Sequence, residues 1–126
     1  MTRLVALVLL LGLTTACSDT STSPAATTTD TFSGTISPGS QSLQTFTASA
    51  AGTVTATATA LTPQSTVGLA VGTLSNSTCS PTSQASVQQG GTVSGTVSSS
   101  GTYCALVFDS GSLTAAVLYT ISVNHP

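Results

Sequence analysis

The sequence predicts an all-β fold, a single β-sandwich of about seven or eight short antiparallel strands. Three observations predict it. Apolar residues recur at every second position over short runs, the spacing of a strand with one face turned to a core. Glycine and proline interrupt these runs where turns would join strands. No stretch keeps a helical period over the length a helix requires. A barrel is the less favoured closure of the same strands.

The strands follow from residue 31 onward. Phe32, Gly34 and Ile36 alternate with hydroxyl residues until the Pro38-Gly39 turn. Residues 41–49 place Phe46 and Ala48 on one face, and Ala51-Gly52 turns the chain. Residues 53–60 alternate almost perfectly, with Val54, Ala56, Ala58 and Ala60 on one side and threonines on the other, until Pro63. Threonine is β-branched and suits a strand. Residues 66–74 carry Val67, Leu69 and Val71 in phase. Residues 75–89 are the least regular part, with Cys79 inside and a short strand around Val87. Gly90-Gly91 leads into 92–98, with Val93 and Val97 in phase, and Ser99-Ser100-Gly101 turns again. Residues 102–109 are apolar on both faces, which marks a central strand. After Ser110-Gly111, residues 118–124 close the pattern with Tyr119, Ile121 and Val123.

The N-terminal segment has a different character. Arg3 precedes an apolar run, residues 4–13, and then Thr14-Thr15-Ala16 leads to Cys17. The run is shorter than the ~20 apolar residues that cross a bilayer and fits a secretory signal. The segment resembles the lipobox of bacterial lipoproteins, although Thr14 stands where that family usually has leucine. The resemblance implies that Cys17 is lipidated as the first residue of the mature chain. It also implies outer-membrane residence, because Ser18 follows where an inner-membrane retention signal has aspartate. The other reading is a plain secretory signal cleaved after Ala16. The expected organisation is therefore a signal peptide over 1–16, a lipidated N-terminus and Ser/Thr-rich tether over 17–30, and a sandwich over 31–126.

Three cysteines are present, and an odd number in an exported chain asks for an explanation. Lipidation of Cys17 leaves Cys79 and Cys104 as a pair. Export to an oxidising compartment predicts a Cys79–Cys104 disulfide. Two cysteines and one distant His125 lack the clustered spacing of a zinc site, so neither a metal nor another cofactor is expected.

Charged residues are 3% of the chain, far below the usual ~25%. Beyond Arg3 there is no lysine or arginine, and the acids are Asp19, Asp30 and Asp109. Nucleic-acid binding, which requires cations against phosphates, is excluded. A polybasic membrane patch is absent too, so membrane attachment would come from the lipid alone.

Residues 32–47, the run Gly52-Thr-Val-Thr-Ala-Thr57, the run Gly101-Thr-Tyr-Cys-Ala-Leu-Val-Phe108 and Tyr119-Thr-Ile-Ser-Val123 resemble, in this order, strands of the bacterial pre-peptidase C-terminal domain family. The resemblance covers most of residues 31–124. It implies a jelly-roll-like sandwich and an accessory role beside a secreted peptidase. Some members hold calcium through clustered acids near the domain start. This chain has no such cluster, so the resemblance implies no calcium here.

A catalytic reading finds little support. His125 sits by the chain end, where an exposed tail residue is expected. Asp109 precedes Ser-Gly at a strand end, where aspartate caps a turn. Asp30 lies in the expected tether, far from forming an acid–base pair with Asp109. Gly90-Gly91 lacks the helix and lysine of a phosphate loop.

The aromatic residues fall in strand patterns and read as core, with Phe108 the exception. In the resembled family the parity of Tyr103 is the buried one. That leaves Leu106 and Phe108 as an exposed apolar patch, a candidate partner surface, unless the segment carrying Cys79 covers it. The expected function is a non-enzymatic cell-envelope lipoprotein whose sandwich serves binding or structure, with a protein or neutral glycan as partner. The alternative is an accessory module for a separately encoded secreted peptidase or other hydrolase.

Overall fold

The structure, a computed structural model, describes residues 26–126. The predicted signal peptide, Cys17 and most of the expected tether lie outside the described residues. Eight strands follow one another: β1 (Thr28–Ile36), β2 (Gln41–Ala48), β3 (Gly52–Thr62), β4 (Val67–Ser75), β5 (Thr78–Val87), β6 (Thr92–Val97), β7 (Gly101–Phe108) and β8 (Val117–His125). They form two four-stranded antiparallel sheets, ordered β1-β8-β3-β6 and β2-β7-β4-β5. Consecutive strands switch between sheets except where β4 and β5 form a hairpin. This is the strand order of a jelly-roll sandwich.

The period-two positions meet between the sheets. Ile36, Phe46, Val54, Ala56, Ala58, Val67, Leu69, Val107, Tyr119, Ile121 and Val123 are buried together. Their burial is the main source of stability, at about 25 cal/mol per Å² of apolar surface removed from water. The outer face of the β1-β8-β3-β6 sheet is mostly hydroxyl, with cross-strand contacts such as Ser33–Thr120 at 3.0 Å and Thr55–Ser94 at 3.2 Å. One tyrosine ties the two sheets together. Tyr119 packs across Gly34, where a Cβ would lie 2.7 Å from its hydroxyl oxygen. That hydroxyl reaches Ser42 Oγ at 2.6 Å and accepts from Gln44 Nε2 at 2.9 Å on β2.

The structure corrects the sequence-based strand map in three places. Thr28, Thr29 and Asp30 belong to β1, paired with His125, Asn124 and Val123, so the sandwich begins within the expected tether. Residues 75–89 are not irregular: ten of them form β5. β5 joins β4 through Asn76 and Ser77, both at positive φ (50° and 62°), as a two-residue hairpin of primed type requires. Finally, Ala60 does not continue the buried row of β3. A bulge between Ala58 and Ala60 shifts the register, so that Leu61 is buried and Ala60 is only half-buried. Gln89 Oε1 accepts a hydrogen bond from Leu61 N–H there at 3.2 Å.

Candidate functional site

The outer face of the β2-β7-β4-β5 sheet carries the candidate site. β4 reads Val67-Gly-Leu-Ala-Val-Gly72, large residues inward and small ones outward. Its outer positions are therefore Gly68, Ala70 and Gly72, paired with Phe108, Leu106 and Cys104 of β7. With so little bulk on β4, neighbouring side chains lean over it. The Phe108 ring rests on Gly68, where a Cβ would come within 2.2 Å of a ring carbon. At Gly72 the backbone of β5 comes so close that a Cβ would meet Ser80 O at 2.1 Å. The register shifts at this point of the β4–β5 pairing.

That close approach lets Cys79 on β5 reach Cys104 on β7 across the intervening β4. The two form a disulfide with a Cα–Cα distance of 5.8 Å, inside the usual window of about 4.4–6.8 Å. Cys104 is fully buried and Cys79 half-buried. The pairing predicted from the cysteine count is present. It fixes an edge strand, however, and not an irregular loop.

Between these elements lies an open groove of about 330 Å³. Leu106 and Phe108 form its floor, Gln41 and Leu43 one wall, and Cys79, Pro81 and Gln84 the other, with Ser77 and Thr78 at one end. The expectation of an exposed Leu106–Phe108 patch is thus corrected. Leu106 is only 6% exposed and Phe108 is half-buried, because Leu43 and the β4–β5 hairpin flank them. Leu43, which the sequence pattern did not single out, is the exposed apolar member at 37%. Its signal was parity: it stands opposite Leu106 in the β2–β7 register. Among the described residues no charged side chain lines the groove.

A larger cavity of about 430 Å³ lies among the loops around Pro63–Thr66 and Ser112–Ala115. It has no aromatic or titratable lining residue, and loops rather than paired strands build most of it.

The three titratable residues singled out earlier hold the fold together. Asp109 joins two loops. Its Oδ2 accepts from Gly39 N–H at 2.8 Å, and its Oδ1 accepts from Gly111 N–H at 2.8 Å and Leu113 N–H at 3.2 Å. These backbone donors, Gly39 first, hold its carboxyl below the usual aspartate value. Turn capping is as the sequence suggested, but the reach to the β1–β2 turn was not legible there.

His125 is not an exposed tail residue. It continues the inward parity of β8 and is 3% exposed, its ring 5.0 Å from that of Phe46. Its Nε2 lies 2.9 Å from Asp30 Oδ2 and its Nδ1 lies 3.1 Å from Pro126 O. Both ring nitrogens therefore face oxygen acceptors and neither faces a hydroxyl nucleophile. Asp30 stands in β1, 41% exposed, opposite Val123. Asp30 and Asp109 each serve a separate partner set and are not brought together as an acid–base pair. Among the described residues no three metal-ligating side chains cluster, and no helix is long and apolar enough to cross a membrane. Neither the protein-family models nor the curated proteins compared with this chain give a match.

Proposed function

We propose that the chain is a non-enzymatic cell-envelope lipoprotein, exported and anchored through Cys17 to the outer membrane, whose sandwich is a binding module. The groove over Leu106 and Phe108 carries this reading. It is concave, has an apolar floor with an amide on each wall and hydroxyls at one end, and is built on paired strands, the general make-up of a ligand site. A photo-crosslinking side chain at Leu43, introduced into the full chain in its native host, tests it. The expected result is a discrete adduct with an envelope component, and illumination that yields no adduct would refute the reading. Anchoring is tested by Cys17→Ser, which should move the protein from the membrane fraction or leave it unprocessed. A wild-type protein that is soluble and unlipidated would refute it. The resemblance to pre-peptidase C-terminal domains favours a second reading, an accessory module for a separately encoded secreted hydrolase. It predicts that the Leu43 adduct contains that hydrolase.

A further inference from the structure

The binding reading leaves the ligand class open, and the lining of the groove narrows it. We propose that this groove takes a neutral hexopyranose unit of an uncharged polysaccharide. The inference rests on the binding-module reading and adds the chemistry of the occupant.

Charge argues first. Among the described residues no charged side chain lines the groove. The nearest carboxylate in sequence, Asp109, is already engaged by the N–H groups of Gly39, Gly111 and Leu113. An ionic ligand would leave water without a counter-charge, which is unfavourable. A neutral ligand pays no such penalty.

The arrangement of polar and apolar groups argues next. A hexopyranose has an apolar C–H face and a rim of hydroxyls that both donate and accept. The groove offers the complement. Phe108 and Leu106 present an apolar floor, and Gln41 and Gln84 stand on opposite walls with amides that also donate and accept. The hydroxyls of Ser77 and Thr78 add two more such groups at one end. The volume, about 330 Å³, falls at the lower end of small-ligand sites, roughly 300–1,000 Å³.

A protein partner fits less well. A stable protein interface covers about 800 Å² per partner around buried apolar anchors. Among the described residues the exposed large apolar ones are Leu43 and Leu118, and they lie on the outer faces of different sheets. On the groove face Leu106 is buried and Phe108 half-buried, so Leu43 alone stands out as an exposed large apolar side chain among the described residues. The groove is open to solvent and not an enclosed cavity, so it can admit one unit of a longer chain, which favours a polymer.

The test uses the full exported chain in detergent, titrated by calorimetry against soluble uncharged glucan, mannan, galactan and glucomannan, with alginate as the anionic control. We expect binding to at least one neutral polymer and none to alginate. Phe108→Ala should weaken that binding about tenfold, as loss of an aromatic platform would. Gln84→Ala, at an exposed position of β5, should weaken it several-fold. Absence of binding to all four neutral polymers, equal binding of alginate, or wild-type affinity in both variants would overturn the proposal. A protein adduct at Leu43 together with no polysaccharide binding would sink the sugar inference and leave the binding module standing. No adduct and no binding would remove both.

Discussion

Replacing Cys79 and Cys104 together with alanine should lower stability substantially while leaving the fold in place. The bridge joins residues 25 apart in sequence. In the chain-entropy view, a loop of that size restricts the unfolded ensemble by about 3.5 kcal/mol at 25 °C. Native geometry should survive the loss, because β5 stays paired with β4 from Val67–Val87 to Ser75–Thr78. The midpoint shift follows from the entropy of unfolding. At about 2.1 cal/mol/K per residue and roughly 100 residues, 3.5 kcal/mol corresponds to a Tm about 17 °C lower. Thermal unfolding followed by circular dichroism, with the wild type oxidised and reduced beside the double variant, measures it. The reduced wild type and the variant should melt together, well below the oxidised protein, from the same strand-dominated spectrum. A difference below about 3 °C, less than 1 kcal/mol by the same conversion, would refute the reasoning. So would loss of the strand spectrum at 25 °C.

Three further outcomes follow from named contacts. Asp30→Ala should cost about 1–3 kcal/mol, because it leaves the buried His125 Nε2 without its acceptor. Amide exchange should rise at Thr28–Thr31, and pairing the change with His125→Phe should recover most of the loss. The folded-state pKa of Asp109 is depressed, so its contribution to stability is present above the ordinary aspartate value, about 3.9, and is lost as pH falls through the lower folded value. Denaturant unfolding at falling pH should therefore show a shallower acid loss in Asp109→Asn than in the wild type. Gly68→Ala would drive a methyl into the Phe108 ring, and an overpacking cost of about 1–3 kcal/mol should appear in the denaturation midpoint.

The strands that face the core were legible because a period of two survives in their side chains. β3, β4 and β8 announced themselves this way, while the double-sided apolar run of β7 correctly placed it inside a sheet. Apart from its end at Val87, where a short strand was expected, β5 was missed for a physical reason. It is an edge strand whose residues are nearly all exposed, so no apolar alternation was needed, and Pro81 argues against a strand unless it lies at an edge. Its hairpin turn is Asn-Ser, a weaker signal than Asn-Gly. His125 was misread because position near the chain end was weighed above parity, although it continues the row Tyr119, Ile121, Val123. The disulfide followed from counting. The groove did not, since it depends on three small residues of β4 being opposite β7, a long-range register that local pattern does not contain.

The pairing of β1 gives the sandwich a direction. Thr28 enters beside His125, at the same end as the turn in which Ser49 N–H donates to Pro126 O and where Ala48 stands opposite Gly101. Gln41 and Phe108 stand at the far end of β2 and β7. Eight residues of strand, at about 3.3 Å each, separate the two ends by roughly 25 Å. Thr28, the first residue of β1, thus stands at the pole opposite Phe108. The start of the entry strand with its His125–Asp30 brace and the aromatic end of the groove therefore occupy opposite poles of the sandwich, so a change at one is separated from the other by the full length of the strands.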